Sequence, residues 1–450
     1  MKQENNILYL ISGAYLLALL AILAIFGYTP TNDGNGYIEF AQVCIQNNQS
    51  YPCIPLLKGY PFVWNIGAIN LTALSLLLFH SIYPLLILMC CMKAATAYYI
   101  SKIAQSLWNG KVGICACCLF VLYPNNWGQS TTILSETPMI FLAITAFYIA
   151  ISKDKCNWLF ISGLLFGLAN WVRPVAMVYM GTLILYYLFF VKTSTIKKCS
   201  SLCVGYLLFI CVVGIHNYHK TGYFIYQAES LWFNMAESTY EKSVAPQYGT
   251  DPYPKGTARY IENMSKKTAI ECNEIWKERS IAWLKEHPVQ YLKKIPGRLL
   301  YMYYNDMDYI IAFSHQKDKA ENNFLTLPYR NILAGTLGKL SAVQYLALVN
   351  LFYYLLLLIF AICGGYLSLR KHEYQKVFLP LMIILGGSLS LVLAIHGETR
   401  FKAPFMPFIF MLAAITLSSW LYQAKSQKLK TNDTSLNTSD FQKAKHSRMF

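Results

Sequence analysis

Apolar runs long enough to cross a bilayer recur from one end of this chain to the other, and that pattern leaves few folds open. The runs lie at roughly 7–26, 83–104, 111–123, 135–152, 157–172, 174–192, 199–217, 343–369, 377–395 and 402–422. In hydrocarbon every backbone polar group must be satisfied within the protein, so runs of this kind are helices. Charged residues make up 13% of the 450-residue chain, where a soluble domain carries about 25%. The first run, Ile7 to Phe26, is too long for a signal core and lacks a small-residue cleavage site, so it reads as a retained span. The expected fold is an all-α polytopic integral membrane protein of about ten transmembrane helices.

Charge sets the topology. The stretch 61–79 is also apolar, yet if it crossed, Lys102, Lys111, Lys153, Lys155, Lys192, Lys197, Lys198, Arg370, Lys371 and Lys376 would all face outward. If it stays on the outer face as a juxtamembrane or re-entrant helix, all of them lie inside with Lys2 and the basic tail, as the positive-inside rule requires. Both termini are then cytoplasmic. The expected organisation is an N-terminal transmembrane module 1–217 with a first external loop 27–82, an external segment 218–342, C-terminal helices 343–422 and a disordered basic tail 423–450. Within 218–342, Ile275, Trp276, Ile281, Trp283 and Leu284 alternate with Lys277, Glu278, Arg279, Lys285 and Glu286, which predicts an amphipathic helix on the membrane surface, ended by His287-Pro288. The net charge of +16 is accounted for by these loops and the tail, and the thirty-four Tyr and nine Trp suit interfacial belts, so nucleic acid is not an expected partner.

The thirteen Cys show no metal-type spacing; Cys90, Cys91, Cys115, Cys117 and Cys118 sit in apolar runs as small core residues. Cys44 and Cys53 share the first external loop, and whether they pair depends on the compartment. No cofactor is expected. A divalent metal would have to be held by His216, His219 and His396 with Glu136 or Glu398, and nothing in their spacing fixes such a set.

The polar residues of interest fall on one side. Asp33 and Tyr37 lie in the first loop, with Glu39 as a neighbouring acid; Lys58-Gly59-Tyr60-Pro61 opens the juxtamembrane helix; Ser135-Glu136 begins the fourth span; Arg173-Pro174 joins the fifth and sixth; His216-Asn217-Tyr218 ends the seventh; Glu398 and Arg400 lie between the last two. Lys93 falls inside a span, and reads as structural and distant from that face. A carboxylate at the lip of a bilayer can deprotonate an acceptor hydroxyl while a lipid-borne donor sits beneath it. Cations such as Lys58, Arg173 and Arg400 suit the negative charge that grows on a departing lipid phosphate. The chemistry that fits is attack on an anomeric carbon bearing a phosphate leaving group, through an oxocarbenium-like transition state.

These motifs resemble the GT-C glycosyltransferases, in particular glycosyltransferase family 39, with its protein O-mannosyltransferases and the bacterial aminoarabinose transferases of lipid A. The carriers of the resemblance are Asp33 with Tyr37 four positions on, Lys58-Gly59-Tyr60-Pro61, Leu134-Ser135-Glu136, the Gly-rich span from Gly163 to Arg173-Pro174, His216-Asn217-Tyr218, and Glu398-Thr399-Arg400-Phe401-Lys402-Ala403-Pro404-Phe405-Met406-Pro407. They follow the family's order over roughly 7–422. The resemblance implies the GT-C fold, a polyprenyl-phosphate-linked sugar as donor, a glycolipid, glycan or protein acceptor, and Asp33 as the catalytic base of an inverting transfer on the outer face of a bacterial plasma membrane. Tyr37, Lys58, Tyr60, Glu136, Arg173, Asn217, Glu398 and Arg400 are the implied substrate-binding residues. Two departures stand out: Gly34 occupies the place where many members carry a second acid, and His216 one where Arg is common. The alternatives are a lipid-linked sugar transporter or flippase, which would carry paired charges or broken helices at mid-membrane, and a non-catalytic subunit of an envelope-assembly complex.

Overall fold

The structure, a computed structural model, describes residues 2–191, 193–240, 259–314, 334–335, 340–395 and 397–422. The tail 423–450, His396, Lys192 and parts of the segment 218–342 lie outside the described residues. All regular structure within them is helical: α1 (Lys2–Phe26), α2 (Asn32–Gln46), α3 (Ile54–Gly59), α4 (Ile66–Phe79), α5 (Tyr83–Leu107), α6 (Gly110–Val121), α7 (Pro124–Gly128), α8 (Glu136–Ser152), α9 (Cys156–Val172), α10 (Met177–Phe190), α11 (Thr195–Thr221), α12 (Leu231–Tyr240), α13 (Ala269–Glu286), α14 (Pro288–Leu292), α15 (Ile295–Tyr303), α16 (Ala342–Arg370), α17 (Tyr374–Ala394) and α18 (Thr399–Tyr422), the last opening in a 3₁₀ turn Thr399–Phe405.

Six of these, α1, α5, α11, α16, α17 and α18, are long and apolar enough to cross a membrane unaided. The spans expected at 111–123, 157–172 and 174–192 correspond to the shorter apolar helices α6, α9 and α10. A helix of 17 residues such as α9 reaches about 26 Å, a little less than the roughly 30 Å hydrocarbon layer. The span at 135–152 corresponds to α8, which is bent by 117° from the preceding Pro124–Thr131.

Contacts sort the helix ends into two sets. At one end, Lys102 Nζ donates to Asn5 (3.1 Å), Trp108 Nε1 donates to Ser368 Oγ (3.2 Å), and Lys111 Nζ sits 5.1 Å from the Tyr422 ring. Lys198 pairs with Asp154, and Phe190 packs on Phe378, at the same end. At the other end, the Thr29 N–H donates to the Thr131 carbonyl (2.8 Å), Glu136 pairs with Arg173, and Asp33 pairs with Arg400. Helix α4 starts and finishes at this second end: Asn65, just before it, bonds Tyr37, and Tyr83, just after it, lies by Gly27. The basic loops and the acidic motifs are therefore segregated, as the charge pattern requires.

Close helix packing is set by small residues. A Cβ on Gly163 of α9 would lie 2.1 Å from the Leu202 carbonyl oxygen, and one on Gly205 of α11 would lie 2.1 Å from that of Phe160, so these backbones touch where only glycine fits. The helices expected outside the bundle differ from the expectation in one way. Lys58-Gly59-Tyr60-Pro61 does not open the juxtamembrane helix; it closes the separate short helix α3, and α4 begins only after Asn65. Helix α13 ends at His287 as expected, and of its apolar stripe Trp276 turns inward while Ile275, Ile281, Trp283 and Leu284 stay partly exposed. Trp276 is fully buried and packs edge-on against Phe233 of α12 at 5.1 Å, with Ala236 and Cys272 around it.

Candidate active site

The site is assembled where α1 turns into α2. Gly27 takes a left-handed conformation (φ 63°), and Thr29 is held to Thr131 by its N–H and by a hydroxyl contact of 2.8 Å. Thr31 then caps α2, its Oγ1 accepting from the Gly34 N–H at 3.0 Å. Asn32-Asp33-Gly34-Asn35-Gly36, rich in turn formers, is thus helical. The stripe Tyr37, Phe40, Ala41 and Cys44 on one face of α2 is buried, largely against α4. Asp33 in the first turn is favoured by the helix dipole, and its side chain points at α18.

Arg400, from the 3₁₀ turn that opens α18, lies between two carboxylates. Its Nη1 donates to Asp33 Oδ2 at 2.6 Å, and its Nε is 3.1 Å from Glu398 Oε2. A second pair stands alongside: Arg173, which caps the end of α9, is 2.9 Å from Glu136 at the start of α8. Ser135 joins them. Its Oγ accepts from Arg173 Nη1 (3.0 Å) and Asn65 Nδ2 (3.2 Å) and donates to Glu136 Oε2 (3.2 Å), while Tyr37 lies 3.3 Å away. Burial, and then the charges of Asp33 and Glu136, push the Tyr37 phenol up, so it stays a neutral hydroxyl.

Five of the nine sequence-predicted site residues, Asp33, Glu136, Arg173, Glu398 and Arg400, are thus joined in two ion-pair groups, and Tyr37 borders them. The other three are placed elsewhere. Lys58 is exposed at the end of α3 and makes no ion pair among the described residues. Tyr60 packs on Phe40 and donates to Glu39 Oε1 at 2.6 Å. Asn217 is buried and its amide donates to the Ile225 carbonyl at 2.7 Å, shaping the turn after α11.

The structure adds groups that the sequence pattern did not single out. Asp308 accepts from Thr399 Oγ1 (2.8 and 2.9 Å), next to Arg400 in the chain. Burial, with Asp306 and Glu398 nearby, raises its carboxyl to about 6 against the opposing pull of Lys402. Lys402 is fully buried, paired with Asp306 at 3.1 Å and donating to the carbonyls of Asn305 and Thr399 at 2.6 Å each. Asp306 also accepts from the Tyr123 hydroxyl. Beneath Arg400 lies a cavity of about 30 Å³ lined by Lys93, Gln129, Asp306 and Tyr309 among others. Lys93 is therefore not distant from the site, as its position in a span suggested. The break between α7 and α8 brings Asn126 and Gln129 within reach of its ammonium, and it makes no ion pair among the described residues. An ammonium within a span was the one signal that marked it. A Cβ on Gly34 would lie 2.8 Å from both Thr31 Oγ1 and the Tyr28 hydroxyl, so a second acid here requires those side chains to shift. Among the described residues no group of three His, Cys, Asp or Glu side chains could hold a metal ion.

Residues 67–218 match the family model for dolichyl-phosphate-mannose-protein mannosyltransferase. No curated protein matches the chain in sequence. Among solved structures, the Archaeoglobus fulgidus oligosaccharyltransferase in complex with Zn and sulfate matches at 11% identity and a TM-score of 0.51, over 92% of this chain and 49% of that one. The archaeal oligosaccharyltransferase AglB from the same organism, in complex with an inhibitory peptide and a dolichol-phosphate, matches at 11% identity and 0.50, over 94% and 52%. ArnT from Cupriavidus metallidurans bound to undecaprenyl phosphate is also similar, at 11% identity and 0.38, over 91% and 77%. The chain spans about half the length of the archaeal oligosaccharyltransferases it matches. With that architecture and the family match, the chain is an all-helical, multi-pass membrane protein of the GT-C glycosyltransferase fold.

Proposed function

We propose that this chain transfers a sugar from a polyprenyl-phosphate-linked donor to an acceptor hydroxyl or phosphate group, with inversion, on the outer face of a bacterial plasma membrane. Asp33 is the general base. The observation that carries the reading is the contact between Asp33 and Arg400 across 367 positions of sequence, at the end of the bundle away from the basic loops. A base and a fixed cation belong together in this reaction: the base accepts the acceptor's proton, while the cation takes up the charge that develops on the leaving phosphate. Lys93, in the cavity beneath Arg400, supplies a further amine donor on the side where spans α5 and α18 meet that cavity. A phosphate leaving group needs no acid, so one essential carboxylate suffices. The mannosyltransferase family match, and the dolichol-phosphate named with AglB, support this donor class.

The stereochemistry tests the reading. Purified protein supplied with a polyprenyl-phosphate sugar and an acceptor is expected to give product of the opposite anomeric configuration, read by NMR. A retained configuration would rule out a single displacement with Asp33 as base.

A further inference from the structure

Two thiols of the first external segment stand in contact and take no part in the chemistry above. Cys44 lies near the end of α2 and Cys53 caps the start of α3; both are fully buried, and their Sγ atoms are 3.8 Å apart. The turn between them is held by its own bonds. The Gln49 N–H donates to the Cys44 carbonyl (3.0 Å), and Asn70 brackets Tyr51, accepting from its N–H at 2.9 Å and donating to its carbonyl at 2.7 Å. The Leu57 N–H donates to the Cys53 carbonyl (3.0 Å). A disulfide places its sulfurs about 2.05 Å apart, so closure needs a movement of less than about 2 Å by side chains whose backbones are already fixed.

The chemical setting suits exchange. Lys220, at the end of α11, reaches this turn and donates to the Ser50 carbonyl and hydroxyl at 2.8 Å. Of the two thiols Cys53 is the one drawn down, first by its hydrogen bond with Cys44, while burial opposes and the Leu56 backbone and Lys220 add to the effect. The thiolate is the attacking species in thiol–disulfide exchange.

We propose that Cys44 and Cys53 form a disulfide in the mature protein, stapling the end of α2 to the start of α3. The proposal rests on the outward reading of this end of the bundle, because an extracytoplasmic compartment is oxidising whereas the cytosol keeps such pairs reduced. The oxidant is a protein bearing a reactive disulfide. The Cys53 thiolate attacks one of its sulfurs and expels the other as a thiolate. Cys44 then loses its proton and attacks the Cys53 sulfur of the mixed disulfide, releasing the oxidant's second thiolate. Two thiols of this chain are oxidised and one disulfide of the oxidant is reduced to a dithiol. The bridge closes a covalent ring of residues 44–53, the end of α2, the turn and the cap of α3, flanked by the bond from Tyr60 to Glu39 of α2, and it steadies the helix whose first turn carries Asp33.

The test is cysteine mapping of the full chain, purified without reductant and alkylated under denaturing conditions. The expected result is a linked Cys44–Cys53 peptide after digestion, lighter by two hydrogens than the dithiol form, with both residues alkylated only after reduction. Both alkylated from the outset, or either linked to a third cysteine, overturns the proposal. Sidedness is read separately by labelling Glu262→Cys, on an exposed external residue, with a membrane-impermeant maleimide in intact cells. Labelling together with free Cys44 and Cys53 refutes the disulfide and leaves the outward reading standing. Absence of labelling refutes the outward reading, and the disulfide then stands or falls on the mapped peptide alone.

Discussion

Arg400 contacts Asp33 and Glu398 together, so under the proposed reading the candidate base is held in place by the group that would receive the leaving phosphate. Around this pair, small changes have specific costs. Gly34→Asp, which would place a second acid beside Asp33, forces a side chain against Thr31 and Tyr28. It is expected to destabilise the protein by about 1–3 kcal/mol and to impair transfer; a melting temperature in detergent equal to that of the wild type would contradict this. Asp308 gives a pH signature. Its folded-state carboxyl, raised to about 6 from an ordinary 3.8, binds protons more tightly than in the unfolded chain. Stability from this group is therefore fully present below the unfolded value and falls as pH rises from about 4 to about 6. Wild type minus Asp308→Asn, compared by melting temperature across that window, is expected to decline with rising pH, and a constant difference would remove Asp308 as the source.

At the level of elements, the site depends on helices whose existence the residues signal unevenly. Helix α8 was legible: Ser135-Glu136-Thr137-Pro138 is a helix start, and its partner Arg173 lies at the Arg-Pro that ends α9. Helix α2 was harder, because Asn, Asp and Gly dominate its first turn; the Thr31 cap and the buried stripe from Tyr37 to Cys44 outweigh their local preference. Asp306 and Asp308 were not legible at all, and Lys402 stood in the motif from Glu398 to Pro407 without a role. Their meeting depends on where the segment after α15 settles, and Asn125 and Asn350 fix that through backbone bonds to Tyr309 and Asp306, which no local pattern announces. The α9–α11 contact is more direct. Gly163→Leu would drive a side chain into the Leu202 carbonyl, and a loss of at least about 1–3 kcal/mol is expected from thermal unfolding in detergent. An unchanged transition would mean that the two helices are not packed as described.

For the whole molecule, the charge pattern of the loops was enough to separate two ends, and the structure brings Asp33, Glu136, Arg173, Glu398 and Arg400 together at the end that the pattern assigns outward. It was not enough to tell that Lys93, counted as remote, points into a cavity shared with Arg400, since that depends on the bend between α7 and α8. The most direct measurement is turnover by the purified full chain with a polyprenyl-phosphate sugar, read as release of free polyprenyl phosphate. Asp33→Asn is expected to lower the rate by at least about 10²-fold, the range for loss of a general base, at unchanged expression and melting temperature. Asp33→Asn protein that turns over at the wild-type rate would contradict the account.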